Sequence, residues 1–390
     1  SAMHEKAAAA TKIRVLYILP SLGIGGAERQ LYYLLRDLDR NRFEASLMVF
    51  YHGGAMHAEF ANLPNVQLFC LHKKSGMDFA YLYAAARIMR THSFDVIHAC
   101  NVSARLVGLF LAWWGRVPKT IMAERNASAV YSSLGSRLYH FFEHRAMRHA
   151  TLVAANSEAG RRFCLKNRIP ASRIRVINNG LDWDRLQPRR TRTELSWPSD
   201  RPVVGMVARL FSQKDPITFL KSARWLLQRM PQVQFLLVGD GPMRQEIEDK
   251  VQQWNLNDRV QLVGAVKEVA DYLANMDVVV LTSKQSEGCA NAVLEAMALS
   301  RPVIVTDVPG NSDLVEHGRT GLIVRPEDPQ ALGKALFDLL TQPDRGAALG
   351  RCGHEMVKRE YDMKTMVAAY ERLYAGCGVE SANQSDGRRL

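Results

Sequence analysis

Short aliphatic or β-branched runs alternate with amphipathic stretches along this chain, a pattern that builds parallel sheets covered by helices rather than a bundle or an antiparallel sandwich. In the first half Ile13–Leu19, Ala45–Tyr51, Val66–Leu71, Asp95–His98, Lys119–Met122, Leu152–Ala155 and Arg175–Ile177 read as strands. Leu31, Leu34, Leu35 and Leu38 share one face of the helix after the first strand, and Ala80–Arg90 and Ser136–His149 read as further helices. From about Asp184 to Arg201 a polar stretch rich in Arg, Pro, Ser and Thr breaks the periodicity and marks a linker. The pattern then restarts. Val203–Val207, Gln234–Val238, Val260–Leu262, Val278–Leu281, Val303–Val305 and Gly321–Val324 read as strands, with helices near Pro216–Met230, Gly241–Asn255, Val269–Asn275, Ala290–Leu299 and Pro329–Thr341. Two doubly wound α/β domains facing each other put the carboxyl ends of both sheets on one central cleft, where ligands bind in such folds. The expected order is a flexible start at 1–11, a first domain at 12–183, a linker at 184–201 and a second domain at 202–360. A C-terminal helix at 361–378, packing back on the first domain, and a flexible polar tail at 379–390 complete it.

Composition narrows the class. With 47% hydrophobic and 23% charged residues over 390, disorder, collagen and coiled coil are excluded. The longest apolar run, Leu106–Trp114, lies between Arg105 and Arg116, and at about 1.5 Å per residue it is too short for a ~30 Å hydrocarbon core. Ser1-Ala2-Met3 reads as a cloning scar, no signal-peptide pattern follows it, and the six cysteines show no Cys-x-x-Cys pair or other metal-ligand spacing. A cytoplasmic protein is expected. The net charge of +12 is unevenly placed: residues 1–200 hold 28 Lys and Arg against 15 Asp and Glu, residues 201–390 hold 23 against 24. One half therefore faces something anionic, or carries a well-solvated basic surface.

Several segments carry chemistry. Gly25-Gly26-Ala27-Glu28 follows the first strand and opens a helix, so backbone amides there can receive an anion. A dinucleotide fingerprint would place glycine at 28, where Glu28 stands, and an acidic residue after the second strand, where Phe50-Tyr51-His52 stands; a dehydrogenase is disfavoured. Arg209 and Lys214, after the first strand of the second half, can together neutralise a diphosphate. Gly239-Asp240-Gly241-Pro242 is a second glycine-rich turn. Glu287 precedes a helix and Glu295 lies inside it, about 12 Å along the axis, more than the roughly 5–9.5 Å between a glycosidase's two carboxyl groups. The two carboxylates fit different parts of one elongated ligand, with a phosphate between them on the amides of Gly288, Cys289 and Ala290.

In these anchors, in Ala296-Met297-Ala298 and Arg301-Pro302-Val303-Ile304, and in Asn179-Gly180-Leu181-Asp182, residues 12–375 resemble family 4 of the retaining nucleotide-sugar glycosyltransferases, with the GT-B fold of two facing Rossmann-like domains. The resemblance implies a hexosyl or N-acetylhexosaminyl transferase for cell-surface polysaccharide or glycoconjugate synthesis. Its donor is a nucleotide sugar, expected to be UDP-linked on family frequency, and its acceptor a glycan or polyprenyl-linked saccharide. Arg209 and Lys214 would hold the diphosphate as it leaves, Glu287 the sugar hydroxyls and Glu295 the ribose hydroxyls. Gly25 and Gly26 would approach the phosphate from the other domain, Gly239 would line the donor site, and the backbone near Val266 would meet the base. The departing phosphate would take the acceptor's proton, so neither a protein nucleophile nor a cofactor is required.

The chain departs from the family at two points. Cys289-Ala290 stands where many members have an aromatic residue and glycine, and His98-Ala99-Cys100 keeps only the first histidine of a His-x-His pattern. His98 is the acceptor-side candidate, with Glu124-Arg125-Asn126 pointing to the same cleft. Asp37-Leu38-Asp39 and Asp182-Trp183-Asp184 do not lie where the donor would sit, so no metal is expected. The alternatives are a sugar-nucleotide epimerase, against which the cations and the Glu287–Glu295 spacing weigh, and a basic nucleic-acid-binding protein, which lacks any recognition motif. Trp113 and Trp114 beside Arg116 and Lys119, and Leu138, Phe141 and Phe142 among Arg137, Arg145 and Arg148, suggest peripheral docking on the anionic inner face of the cell membrane, unless those apolar residues face the core.

Overall fold

Two all-parallel sheets carry the chain. The first contains β1 (Ile13–Leu19), β2 (Phe43–Val49), β3 (Val66–Cys70), β4 (Val96–Ala99), β5 (Lys119–Glu124), β6 (Leu152–Ala155) and β7 (Ile174–Val176), in the spatial order β3-β2-β1-β4-β5-β6-β7. The second contains β8 (Val203–Val207), β9 (Gln234–Val238), β10 (Val260–Gly264), β11 (Val278–Leu281), β12 (Val303–Thr306) and β13 (Leu322–Val324), in the order β10-β9-β8-β11-β12-β13. In each, the order reverses beside the first strand, which opens a crevice at that strand's carboxyl end. This computed structural model describes residues 11–74, 78–125 and 134–376, with the side chains of 134–140 excepted. Asn126, Cys377, Ser1-Ala2-Met3 and the tail 379–390 lie outside the described residues, as do the side chains of Arg137 and Leu138.

Helices α1 (Gly26–Asp37), α2 (His57–Ala61), α3 (Ala80–Thr91), α4 (Val102–Gly115), α5 (Leu134–Met147) and α6 (Glu158–Lys166) belong to the first sheet. The second has α7 (Pro216–Leu227), α8 (Arg244–Gln253), α9 (Ala270–Ala274), α10 (Asn291–Ala298), α11 (Asn311–Leu314), α12 (Pro329–Thr341) and α13 (Pro343–Glu360). The last helix, α14 (Met363–Ala375), returns to the first domain. The burial of β1 shows how the layers form. Val15, Tyr17 and Leu19 face a core shared with α1 and α14, whereas Leu16 and Ile18 face a second core shared with α3 and α4. A strand sealed on both faces reads as a continuous apolar run, as β1 does.

Five helices were not read from the sequence: α2, α4, α6, α11 and α13. The run Leu106–Trp114, read only as too short to cross a membrane, lies within α4. In α13 the buried face is Gly346, Leu349, Gly350, Gly353 and Val357, so the helical period is written largely in glycines and hydropathy misses it. A Cβ at Gly350 would stand 2.1 Å from the Ser300 carbonyl oxygen, which is why that face is so small. The polar segment 184–201 is strapped to the second domain: Leu186 and Trp197 enter its core, Arg190 pairs with Asp271 at 3.0 Å and Arg192 with Asp277 at 2.7 Å.

Candidate active site

The carboxyl end of β8 runs into Arg209, and a single turn of 3-10 helix at Ser212–Lys214 leads to α7, whose N-terminus is capped by Asp215 accepting from the Thr218 amide at 3.2 Å. The turn after β9 packs against this loop. Gly239 has φ +137, and a Cβ there would meet the Ala208 carbonyl oxygen at 1.9 Å, so only glycine lets the two turns touch. Arg209 is exposed, lies over the Phe211 ring at 5.2 Å, and forms no ion pair among the described residues. Lys214 is committed elsewhere. Its Nζ lies 2.7 and 2.6 Å from the two oxygens of Glu287, a buried carboxylate.

Glu287 is fixed by more than this lysine. Ser283 Oγ also donates to it, its amide donates to the Pro309 carbonyl at 2.8 Å, and Gly310, at φ +92, lies so close that a Cβ would stand 2.2 Å from the Glu287 carbonyl oxygen. Neither Ser283 nor Gly310 was singled out from the sequence, because each acts through a contact with Glu287 rather than through a motif. Helix α10 starts at Asn291, one residue later than read, since Ala290 has ψ 76 and serves as the N-cap. Gly288, Cys289 and Ala290 therefore form the approach to the helix and not its first turn. Burial pushes the Cys289 thiol up to about 12, so it is an uncharged packing group. Glu295, inside α10, is also largely buried, and burial raises its carboxyl to about 7, with Arg29 and Arg185 partly opposing. Val266 packs on the second core.

The first domain meets this segment directly. A Cβ at Gly26 would lie 2.5 Å from Asn291 Nδ2, so the Gly25-Gly26 turn presses on the start of α10. Arg125 donates to Asn179 Oδ1 at 3.1 Å, and Asn179 Nδ2 donates to Asn291 Oδ1 at 2.8 Å, a polar chain across the cleft. Arg29, on α1, reaches Glu295 at 3.9 Å. Asn291 and Arg29 carry no local sequence signal for this, since their partners lie far away in the chain. Arg36 pairs with Asp182 at 2.7 Å and with Asp37 at 2.7 Å, so each Asp-x-Asp segment has an arginine on one carboxylate.

His98, at the end of β4, is buried. Its Nδ1 lies 2.8 Å from the Tyr374 hydroxyl, its Nε2 is shut off from solvent with no hydrogen-bond partner among the described residues, and burial, with Arg125 nearby, pushes the ring down to about 3. It is a neutral imidazole on a small pocket shared with Gln30, Cys100, Arg125, Met366 and Tyr370. Burial likewise pushes the Cys100 thiol up to about 12. On the outer surface Trp113, Trp114, Phe141 and Phe142 are exposed, with Trp113 at 74%, so they do not face the core. Lys119 is not part of that surface: its Nζ donates to the Leu373 and Tyr374 carbonyls at 3.2 and 3.1 Å, at the end of α14. No described helix is long and apolar enough to cross a membrane.

Comparison with known proteins places both halves. The family model described as Glycosyltransferase Family 4 matches residues 24–185, and the one described as Glycosyl transferases group 1 matches residues 201–342. The chain is 26% identical over 385 residues to EpsF of Bacillus subtilis (strain 168), covering 93% of this chain and 96% of that one. It is 25% identical over 270 residues to the UDP-Gal:alpha-D-GlcNAc-diphosphoundecaprenol alpha-1,3-galactosyltransferase of Escherichia coli, covering 66% of this chain and 70% of that one. Among solved structures, Anabaena HepE in complex with UDP and glucose superposes with a TM-score of 0.82 at 22% identity, covering 93% of this chain and 99% of that one.

Proposed function

Because the chain belongs to glycosyltransferase family 4 and has its GT-B fold, we propose that it moves a sugar from a nucleoside diphosphate donor to a glycan or lipid-linked acceptor, with retention of anomeric configuration. The observation that carries this reading is the clamp of Lys214 on Glu287, with Arg209 free of any ion pair among the described residues and the Gly25-Gly26 turn pressed on Asn291 four residues further on. Arg209 and Lys214 hold the donor diphosphate, and their charge stabilises it as the bond from the anomeric carbon to the phosphate oxygen breaks. The acceptor hydroxyl attacks from the same face, and its proton passes to the departing phosphate oxygen. Glu287 binds hydroxyls of the transferred sugar; Glu295 binds the ribose, Gly239 and Val266 line the donor side, and Gly288, Cys289 and Ala290 approach the phosphate. In this reading Arg209 and Lys214 supply countercharge at the diphosphate and Arg36 pairs with Asp37 and Asp182, so no metal is assigned a role in the transfer.

UDP is the favoured nucleotide, because HepE binds UDP and the Escherichia coli relative is named for a UDP-galactose donor. That relative's name also specifies a diphosphoundecaprenol-linked acceptor, and capsular polysaccharide synthesis appears in the name of another from Staphylococcus aureus. A polyprenyl-linked acceptor requires approach to a bilayer. Exposed Phe110, Trp113 and Trp114 on α4 and Phe141 and Phe142 on α5, with Arg90 over Trp114 at 5.3 Å and Arg116 and Arg145 exposed, form a surface suited to anionic headgroups on the cytoplasmic leaflet. His98, neutral and buried, lies beneath the acceptor side of the cleft.

Thermal denaturation with UDP-glucose, UDP-N-acetylglucosamine, UDP-galactose and GDP-mannose tests the donor. Binding to the folded state raises the midpoint, with the largest rise expected for a UDP sugar. No rise with any of the four overturns the reading. Sedimentation with phosphatidylglycerol vesicles tests the surface: wild type pellets at low salt, and Trp113→Ala with Trp114→Ala stays in solution.

A further inference from the structure

We propose that the carboxyl ends of β2 and β3 carry a zinc site in which His52, Cys70 and His72 supply three ligands, apart from the sugar-transfer machinery. The ligand atoms of these residues all lie within 4.8 Å of one another. Tetrahedral Zn2+ with Zn–N of about 2.0–2.1 Å and Zn–S of about 2.3 Å needs its ligand atoms about 3.5 Å apart, so closure by roughly 1 Å of side-chain movement completes the set.

The backbone explains why the three converge. Val49 and Cys70 pair at the end of the β2–β3 ladder; beyond it the Leu71 amide donates to the Val49 carbonyl at 2.9 Å and the Lys73 amide to the Phe50 carbonyl at 2.8 Å, a one-residue slip in register that falls at His72. Leu71 turns into the core shared with α3 and α4, and Cys70 faces the other side of the sheet. His72 holds φ +51, an unusual conformation for a residue with a side chain, and its ring stacks on His52 with centroids 5.2 Å apart. A third imidazole borders the pair. His57, at the start of α2, lies edge-on to His52 at 5.2 Å, and its Nδ1 is shut off from solvent with no hydrogen-bond partner among the described residues.

Two imidazoles and a thiolate favour zinc and its borderline neighbours over magnesium or calcium, which take oxygen ligands. Three protein ligands leave the fourth tetrahedral position open, the arrangement of zinc sites that bind a further ligand rather than of closed structural ones. The site loads from solvent, since His52 and His72 are exposed and Cys70 is half-buried. It also borders the domain seam: Glu59, two residues along α2 from His57, pairs with Lys267 of the second domain at 3.1 Å. Zinc here would pin the loops that follow β2 and β3 beside that seam.

The test is titration of the metal-free full chain with Co2+, then Zn2+. One equivalent of Co2+ should give a thiolate-to-cobalt charge-transfer band in the near ultraviolet, and Zn2+ should bleach it. Cys70→Ser should abolish the band. His52→Ala and His72→Ala should each weaken Zn2+ binding by about 100-fold or more, beyond the range for loss of a supporting contact alone. Unchanged melting midpoints of the metal-free variants, and an unchanged midpoint shift with UDP, show that the fold and donor site are intact. Absence of the band in wild type, or variants that bind Zn2+ as tightly as wild type, overturns the site.

Discussion

Glu287 and Glu295 stand on one short segment, yet their surroundings belong to different parts of the molecule. Glu287 meets Lys214 at 2.7 and 2.6 Å, Ser283, and the Gly310 turn, all from its own domain. Glu295 meets its cation, Arg29, at 3.9 Å and from the other domain. The side chains are similarly inaccessible, at 7% and 16% exposure, so burial does not separate them. What separates them is whether the countercharge is built into the same fold or arrives from across the cleft. The first carboxylate is held whatever the domains do; the second senses how they sit.

The largest effect should come from breaking the clamp. Lys214→Ala removes a donor cation and strands a buried carboxylate, so kcat should fall by about 10²–10³-fold and the melting midpoint should fall with it. Arg209→Ala should cost transfer by a similar factor with the midpoint unchanged, because Arg209 is exposed and unpaired among the described residues. Equal loss of stability in both would erase the contrast. Next, Gly310→Ala forces a side chain into φ +92 against the Glu287 carbonyl, and should cost of order 1–3 kcal/mol in denaturant unfolding.

A smaller effect concerns pH. An unfolded Glu295 loses its proton near 4.5, whereas the folded carboxyl keeps it up to about 7. Between those values the folded state binds more protons, so stability falls as pH rises through that window. Glu295→Gln should flatten that part of the wild-type midpoint profile, and an identical slope in both would dissociate Glu295 from it. The smallest effect is expected for Arg162→Ala, which removes an exposed interdomain pair with Asp313 at 2.7 Å; it should change unfolding by under about 1 kcal/mol.

The parallel two-sheet architecture was legible because β1, β8 and their neighbours are sealed on both faces and so appear as continuous aliphatic runs. The α13 helix was not, since its buried face is glycine-rich, nor was the exact start of α10, where only the ψ of Ala290 separates cap from helix. Within the site, Arg209, Lys214, Glu287 and Glu295 stood out by type and spacing. Asn179 with Asn291 and Arg29 with Glu295 did not, because a contact between residues so far apart in the chain leaves no local periodicity. The burial of His98 was equally hidden: it depends on Tyr370 and Tyr374, which reach it from the far end of the chain.

The return of α14 to the first domain means that the chain passes between domains twice. Leu181, on the outward path, bridges to Asp362 on the way back, and its amide donates to the Tyr361 carbonyl at 3.0 Å. A Cβ at Gly180 would stand 2.9 Å from Met363 Cα, so the two strands of chain run in close contact there. A body tied to another at one point can twist in any direction; one tied along a short line can only swing about it. The paired passages are placed like a door's pin: a swing of the domains about that line would carry Glu295 away from Arg29 and Asn291 away from Asn179 in the same stroke.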